Sequence, residues 1–76
     1  VKRVGGVVRT AQGLAIARGG DGEDPPSIGA VVVDDSLSTV GRVVDVFGPV
    51  DRPYVAVTPN DGITLAGLVG GTLYTR

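Results

Sequence analysis

The chain has 76 residues and a net charge of −1, with no cysteine and no histidine. That length supports one domain, and the residue inventory excludes a disulfide scaffold, a cysteine/histidine zinc site and any histidine base. Hydrophobic residues make up 42% but aromatics only 4%, so the core must be valine, leucine, isoleucine and alanine.

Valine abundance and frequent glycine favour short strands over helices. Residues 1–10 (VKRVGGVVRT) read as a first strand, and Gly5-Gly6 within it marks a bulge or corner. Ala11, Gln12 and Gly13 turn the chain. Residues 14–18 (LAIAR) form a second strand, since Gly13 and Gly19 leave too few residues between them for a stable helix. Residues 19–27 make a flexible acidic loop, stiffened at Pro25-Pro26. Residues 28–33 (IGAVVV) read as a third strand, and the unbroken AVVV run points to burial on both faces. Residues 34–38 (DDSLS) read as a turn or a single loop of helix, with Leu37 expected to point inward.

The strongest signal is residues 40–59 (VGRVVDVFGPVDRPYVAVTP). Two β-branched runs flank a turn carrying Gly48, Pro49 and Pro53, a hairpin with a wide, stiff connection. Asn60, Asp61 and Gly62 form the next turn. Residues 63–69 (ITLAGLV) fit either a short strand or an irregular packing segment. After Gly70-Gly71, residues 72–75 (TLYT) form a last strand. Short strands punctuated this regularly imply a small barrel or sandwich. A barrel is preferred because it removes the exposed edges of valine-rich strands.

No constellation carries catalysis. Residues 19–22 (GGDG) lead into no helix and have no lysine, so a phosphate loop fails. Asp21, Glu23 and Asp24 are the only acidic cluster, and the two prolines break a calcium-loop spacing. Asp34 and Asp35 are adjacent and serve a turn better than a catalytic pair. Ser27, Ser36 and Ser38 have no histidine or cysteine partner, so a serine triad is absent. A lysine base would rest on Lys2 alone, the only lysine in the chain. No cofactor and no small-molecule substrate is therefore expected.

No apolar run is long enough to span a bilayer, so no membrane association is expected. Lys2 and Arg3 lead into a strand-like stretch, not the apolar block of a signal peptide. A sequence pI of about 5.0 is a poor footprint for nucleic acid. Phe47, Tyr54 and Tyr74 are the only aromatics, and along the chain they are not interleaved with arginine. The triplet Arg18-Gly19-Gly20 stands alone and reads as a strand end. Residues 47–54 (FGPVDRPY) fit two roles. In one, Phe47 and Tyr54 cap the core. In the other, Pro49, Val50 and Pro53 form a rigid apolar ledge facing a protein, where prolines limit the entropy lost on docking.

The central block resembles the Gar family, the glycine/arginine-rich subunit of H/ACA small ribonucleoproteins, in its short archaeal form. Gly41, Val43, Asp45, Phe47, Gly48, Pro49, Val50, Pro53, Tyr54, Val55 and Pro59 match its pattern in order. Residues 2–5 with Gln12-Gly13, residues 26–34, and residues 71–74 fit the family's flanking segments. The resemblance implies a six-stranded Greek-key barrel over residues 1–76, of the translation-factor type. It implies a non-catalytic accessory subunit that binds the dyskerin-type pseudouridine synthase in rRNA pseudouridylation. Such a subunit aids substrate RNA loading and product release and meets guide RNA and rRNA only indirectly, through the complex. It implies a cytoplasmic, archaeal setting, and the acidic loop agrees with a salt-adapted source. Carried over by motif, the partner-binding surface is Phe47, Gly48, Pro49, Val50, Pro53 and Tyr54, supported by Gly41 and Val43. Glycine/arginine-rich tails are not among these residues, so RNA contacts attributed to them are not carried over. A stand-alone RNA-binding barrel of ribosomal or translation-factor type is the alternative.

Overall fold

Alternation of small apolar and polar residues yields six strands in the computed structural model, which describes residues 2–19 and 25–76. They are β1 (Lys2–Ala11), β2 (Leu14–Arg18), β3 (Val31–Val33), β4 (Thr39–Phe47), β5 (Tyr54–Pro59) and β6 (Thr72–Thr75), with a short 3₁₀ helix (Leu65–Leu68) before β6. The strands close into a barrel in the order β1-β2-β5-β4-β3-β6, and β6 pairs back onto β1. Each neighbouring pair is antiparallel. Three consecutive strands, β3 to β5, lie side by side, and β6 returns to lie next to β3, which is the Greek-key arrangement.

Every strand contributes to one interior: Val4 and Val7 from β1, Ala15 and Ala17 from β2, Val32 from β3, Val40 and Val43 from β4, Val55 and Val57 from β5, and Leu73 from β6. Ala30, Val46, Ile63, Leu65 and Leu68 pack against this cluster while partly exposed. With strands this close around a narrow axis, small side chains fill the interior. Closure gives each of the six strands a hydrogen-bonded neighbour on both sides.

Corners are made where strands bend. β1 shifts register against β6 between Arg3 and Gly5, and against β2 between Val7 and Arg9. Gly5 sits at φ +146°, and a side chain there would run into the backbone carbonyl of Arg18, so the expected corner at this glycine pair is present. β4 shifts against β5 between Val43 and Asp45. The extra residues at two of these bulges, Val8 and Val44, are exposed, as expected of residues left out of the ladder.

Three local expectations are corrected. The third strand begins at Val31 rather than at residue 28. Gly29 takes φ +93° and the Ala30 amide donates to the Ser27 carbonyl, so a turn bends the chain before the strand starts. Leu37 points outward and is 55% exposed. Asp34 Oδ1 accepts from the amides of Ser36 and Ser38, at 2.9 and 3.0 Å, and the Leu37 amide donates to the Asp34 carbonyl. That tight turn holds Leu37 at φ +63°, which turns its side chain away from the barrel. Residues 63–69 are neither strand nor irregular throughout, because they contain the 3₁₀ helix. Its far end is tied to β1: the Gly70 amide donates to the Val7 carbonyl, and the Val7 amide to the Gly71 carbonyl. Most of the acidic stretch expected at residues 19–27 lies outside the described residues.

The closest backbone approach in the β4–β5 hairpin is at Gly41, where a Cβ would overlap the Thr58 carbonyl oxygen. Gly41→Ala should therefore force the strands apart and lower stability by about 1–3 kcal/mol. Gly67→Ala, at a site with nothing within 4 Å, should stay within about 0.5 kcal/mol of the parent. Urea titration followed by far-ultraviolet circular dichroism reads both, and equal stability of the two variants would contradict the close approach.

Candidate functional site

The site is the turned end of the β4–β5 hairpin together with the outer sheet face beneath it. β4 ends at Phe47, and Gly48 then takes φ +92°, a conformation that disfavours a side chain. A Cβ on Gly48 would also come within 2.9 Å of the Tyr54 ring. Glycine is thus needed twice at this position, for its dihedral and for the ring lying against it. The chain turns through residues 49–52, where the Arg52 amide donates to the Pro49 carbonyl at 3.3 Å. Arg52 Nε reaches back to the Gly19 carbonyl at 3.1 Å, which ties the tip to the end of β2.

Val50 stands at the tip and is 99% exposed. Pro49 is exposed and Pro53 half-buried. A valine this bare, flanked by prolines in a short turn, presents apolar surface on a backbone that has little freedom left to lose. Of the expected ledge, Val50 therefore faces solvent almost entirely, Pro49 is exposed and Pro53 is exposed in part.

Phe47 and Tyr54 do not cap the core. Val46 and Val55 take the inward positions on β4 and β5, so strand alternation sends the two aromatics to the outer face. Phe47 is 38% exposed. The rings are directly paired across the hairpin and stack with centroids 5.5 Å apart and planes inclined by 23°. Gly41 and Val43 are buried. Their contribution is to hold β4 against β5, with the Asn60 amide donating to the Val40 carbonyl beside them.

On its other side Tyr54 pairs with Arg18 of β2. The Arg18 guanidinium lies over the Tyr54 ring at 4.7 Å from the centroid, and that of Arg9 lies at 5.5 Å. The register makes Arg18, Tyr54 and Phe47 a row across three adjacent strands, with Tyr54 between a cation and a ring. Among the described residues, Arg18 Nε is buried without a hydrogen-bond partner, so the ring contact is what holds the guanidinium there. Arg9 and Arg18 are the functional candidates that reading along the chain misses. Their meeting with the aromatics depends on β2 pairing with β5, two strands far apart in sequence, and no local motif announces it.

Two comparisons with known proteins found matches to the chain. The model of the family described as Gar1/Naf1 RNA binding region matches residues 1–75. An uncharacterised protein of the archaeon Methanocaldococcus jannaschii is 40% identical over 60 residues, covering 78% of this chain and 69% of its own length.

The stacked pair should be measurable as a coupling. A double-mutant cycle on Phe47→Leu and Tyr54→Leu is expected to return about 0.5–1.5 kcal/mol of interaction in unfolding free energy. Val50→Asp, at a position that touches no core residue, should leave the denaturation midpoint within about 0.5 kcal/mol of the parent. Additive effects of the two leucine variants would mean that the rings do not stack in solution.

Proposed function

The chain belongs to the Gar1/Naf1 RNA-binding-region family, and we propose that it acts as a non-catalytic accessory subunit of the H/ACA RNA-guided pseudouridylation particle. On this reading it docks on the dyskerin-type pseudouridine synthase through the hairpin tip and aids substrate RNA loading and product release during rRNA modification. It works in the cytoplasm of an archaeal cell and leaves the chemistry to the enzyme. The observation that carries this reading is Val50, 99% exposed on a turn braced by Gly48, Pro49 and the Arg52 contact to Gly19. Such a turn does little for the barrel it belongs to. Covering it with a partner removes apolar surface from water and orders very little.

Magnitudes support the tip as the contact that decides affinity. Burying one valine side chain is worth about 1.5 kcal/mol or more, roughly tenfold in affinity. Placing a carboxylate there reverses the sign, because an unpaired charge would be trapped in an apolar interface. Gly41 and Val43, being buried, support this surface from behind. Phe47 and Tyr54 set the angle at which the tip leaves the sheet.

Co-purification with a cognate dyskerin-type synthase tests the reading. The parent chain should be retained on the tagged enzyme. Val50→Asp and Pro49→Asp should each be lost from it, with circular dichroism spectra and melting temperatures unchanged. Failure of the folded parent chain to associate would remove the synthase as partner.

A further inference from the structure

We propose that the outer-face row Arg18–Tyr54–Phe47, with Arg9 beside it, is a binding site for unpaired RNA. A base would stack on the open side of Phe47, and phosphates would meet the two guanidiniums. The proposal rests on the family's RNA-binding character and not on docking to the synthase. It goes further than either by naming the face and the form of RNA.

The geometry carries it in three steps. First, β2, β5 and β4 are neighbours in the barrel, so Arg18, Tyr54 and Phe47 follow one another across the sheet at the spacing of hydrogen-bonded strands, about 5 Å. A stack already runs through the first two contacts, Arg18 to Tyr54 at 4.7 Å and Tyr54 to Phe47 at 5.5 Å. Phe47 ends it, with 38% of its surface open. A planar, uncharged ring continuing this row would cover part of that exposed surface. Bases offer such a face, and stacking on aromatics is how unpaired strands are held with little sequence preference.

Second, the cations are on the same side. Arg9 is exposed and lies over the same ring as Arg18. Asp45 is the carboxylate nearest along β4, paired with Ala56 in the next cross-strand position. Its Oδ1 accepts from the Val46 amide at 2.8 Å. Two guanidiniums thus lie over one ring in a chain whose overall charge is −1. Third, the row is rigid before any ligand arrives. The Tyr54 ring lies against Gly48 and between the Arg18 guanidinium and the Phe47 ring, so the row is assembled in the free chain and little ordering is left to oppose binding.

A duplex could not use the site this way, since its bases are already stacked and its edges are turned inward. The proposal therefore predicts single-strand selectivity. Fluorescence anisotropy with labelled oligouridylate tests it on the intact chain at low salt, beside a duplex of the same length. The parent should bind the single strand in preference to the duplex. Phe47→Leu should weaken binding roughly tenfold with the salt dependence unchanged. Arg9→Gln should reduce the slope of log affinity against log salt by about 0.7, while its co-purification with the synthase stays at the parent level. That last readout keeps failure of this proposal distinct from failure of the docking reading. The proposal is overturned by no binding of oligouridylate, by equal binding of the duplex, or by variants that bind as the parent does. It is also overturned if both variants keep oligouridylate but lose the synthase, because the row would then belong to a protein interface.

Discussion

Interior width governs this protein. Six short strands closing on themselves leave a lumen lined by Val4, Val7, Ala15, Ala17, Val32, Val40, Val43, Val55, Val57 and Leu73, with no aromatic among them. Rings of the size of Phe47 and Tyr54 have no place along that axis. Once Val46 and Val55 point inward, alternation leaves the aromatics one destination, the outer face of the hairpin. The same constraint that makes the core small thus builds the exposed row.

Glycine lets backbones approach where side chains could not. Gly5 meets the carbonyl of Arg18, Gly41 meets that of Thr58, and Gly48 lies against the Tyr54 ring. Two of these three contacts converge on the row from opposite sides. Gly5 brings β1 onto the end of β2 that carries Arg18, and Gly48 lies against the ring on which Arg18 rests. The row is therefore continuous with the features that close the barrel. A substitution at either glycine acts on stability and on the face together.

Much of the fold was legible in the sequence because its signals are local. β-Branched runs, the Gly48-Pro49 stop and the turn at residues 60–62 are each read from a few neighbouring residues. Strand limits for β2 and β6 follow from the glycines beside them. The errors arose where a local hydrogen-bond network overrode the apolar pattern. Asp34 collects the amides of Ser36 and Ser38, and Leu37 is turned outward although hydrophobicity alone would bury it. The bend at Gly29 shortens β3 for a similar reason. The site was half legible: Pro49, Val50 and Pro53 stand out along the chain, but Arg9 and Arg18 join Tyr54 only through the β2–β5 register. That pairing bridges the whole β3–β4 segment, and no window of sequence contains both partners.

The tip and the row differ in what they offer a partner, and the difference argues against one ligand using both alike. Val50 is apolar, projecting and unsupported by charge, which suits a partner with a shallow dry pocket. The row is flat, lies on the sheet face and carries two guanidiniums, which suits a polyanion with planar groups. Both adjoin the same short turn, since Gly48 lies against the Tyr54 ring and Arg52 ties the tip to Gly19 at the end of β2. A protein held at the tip would bring its own RNA past the row at fixed height and angle. That coupling follows from the covalent shortness of residues 47–54 and requires no change in the barrel.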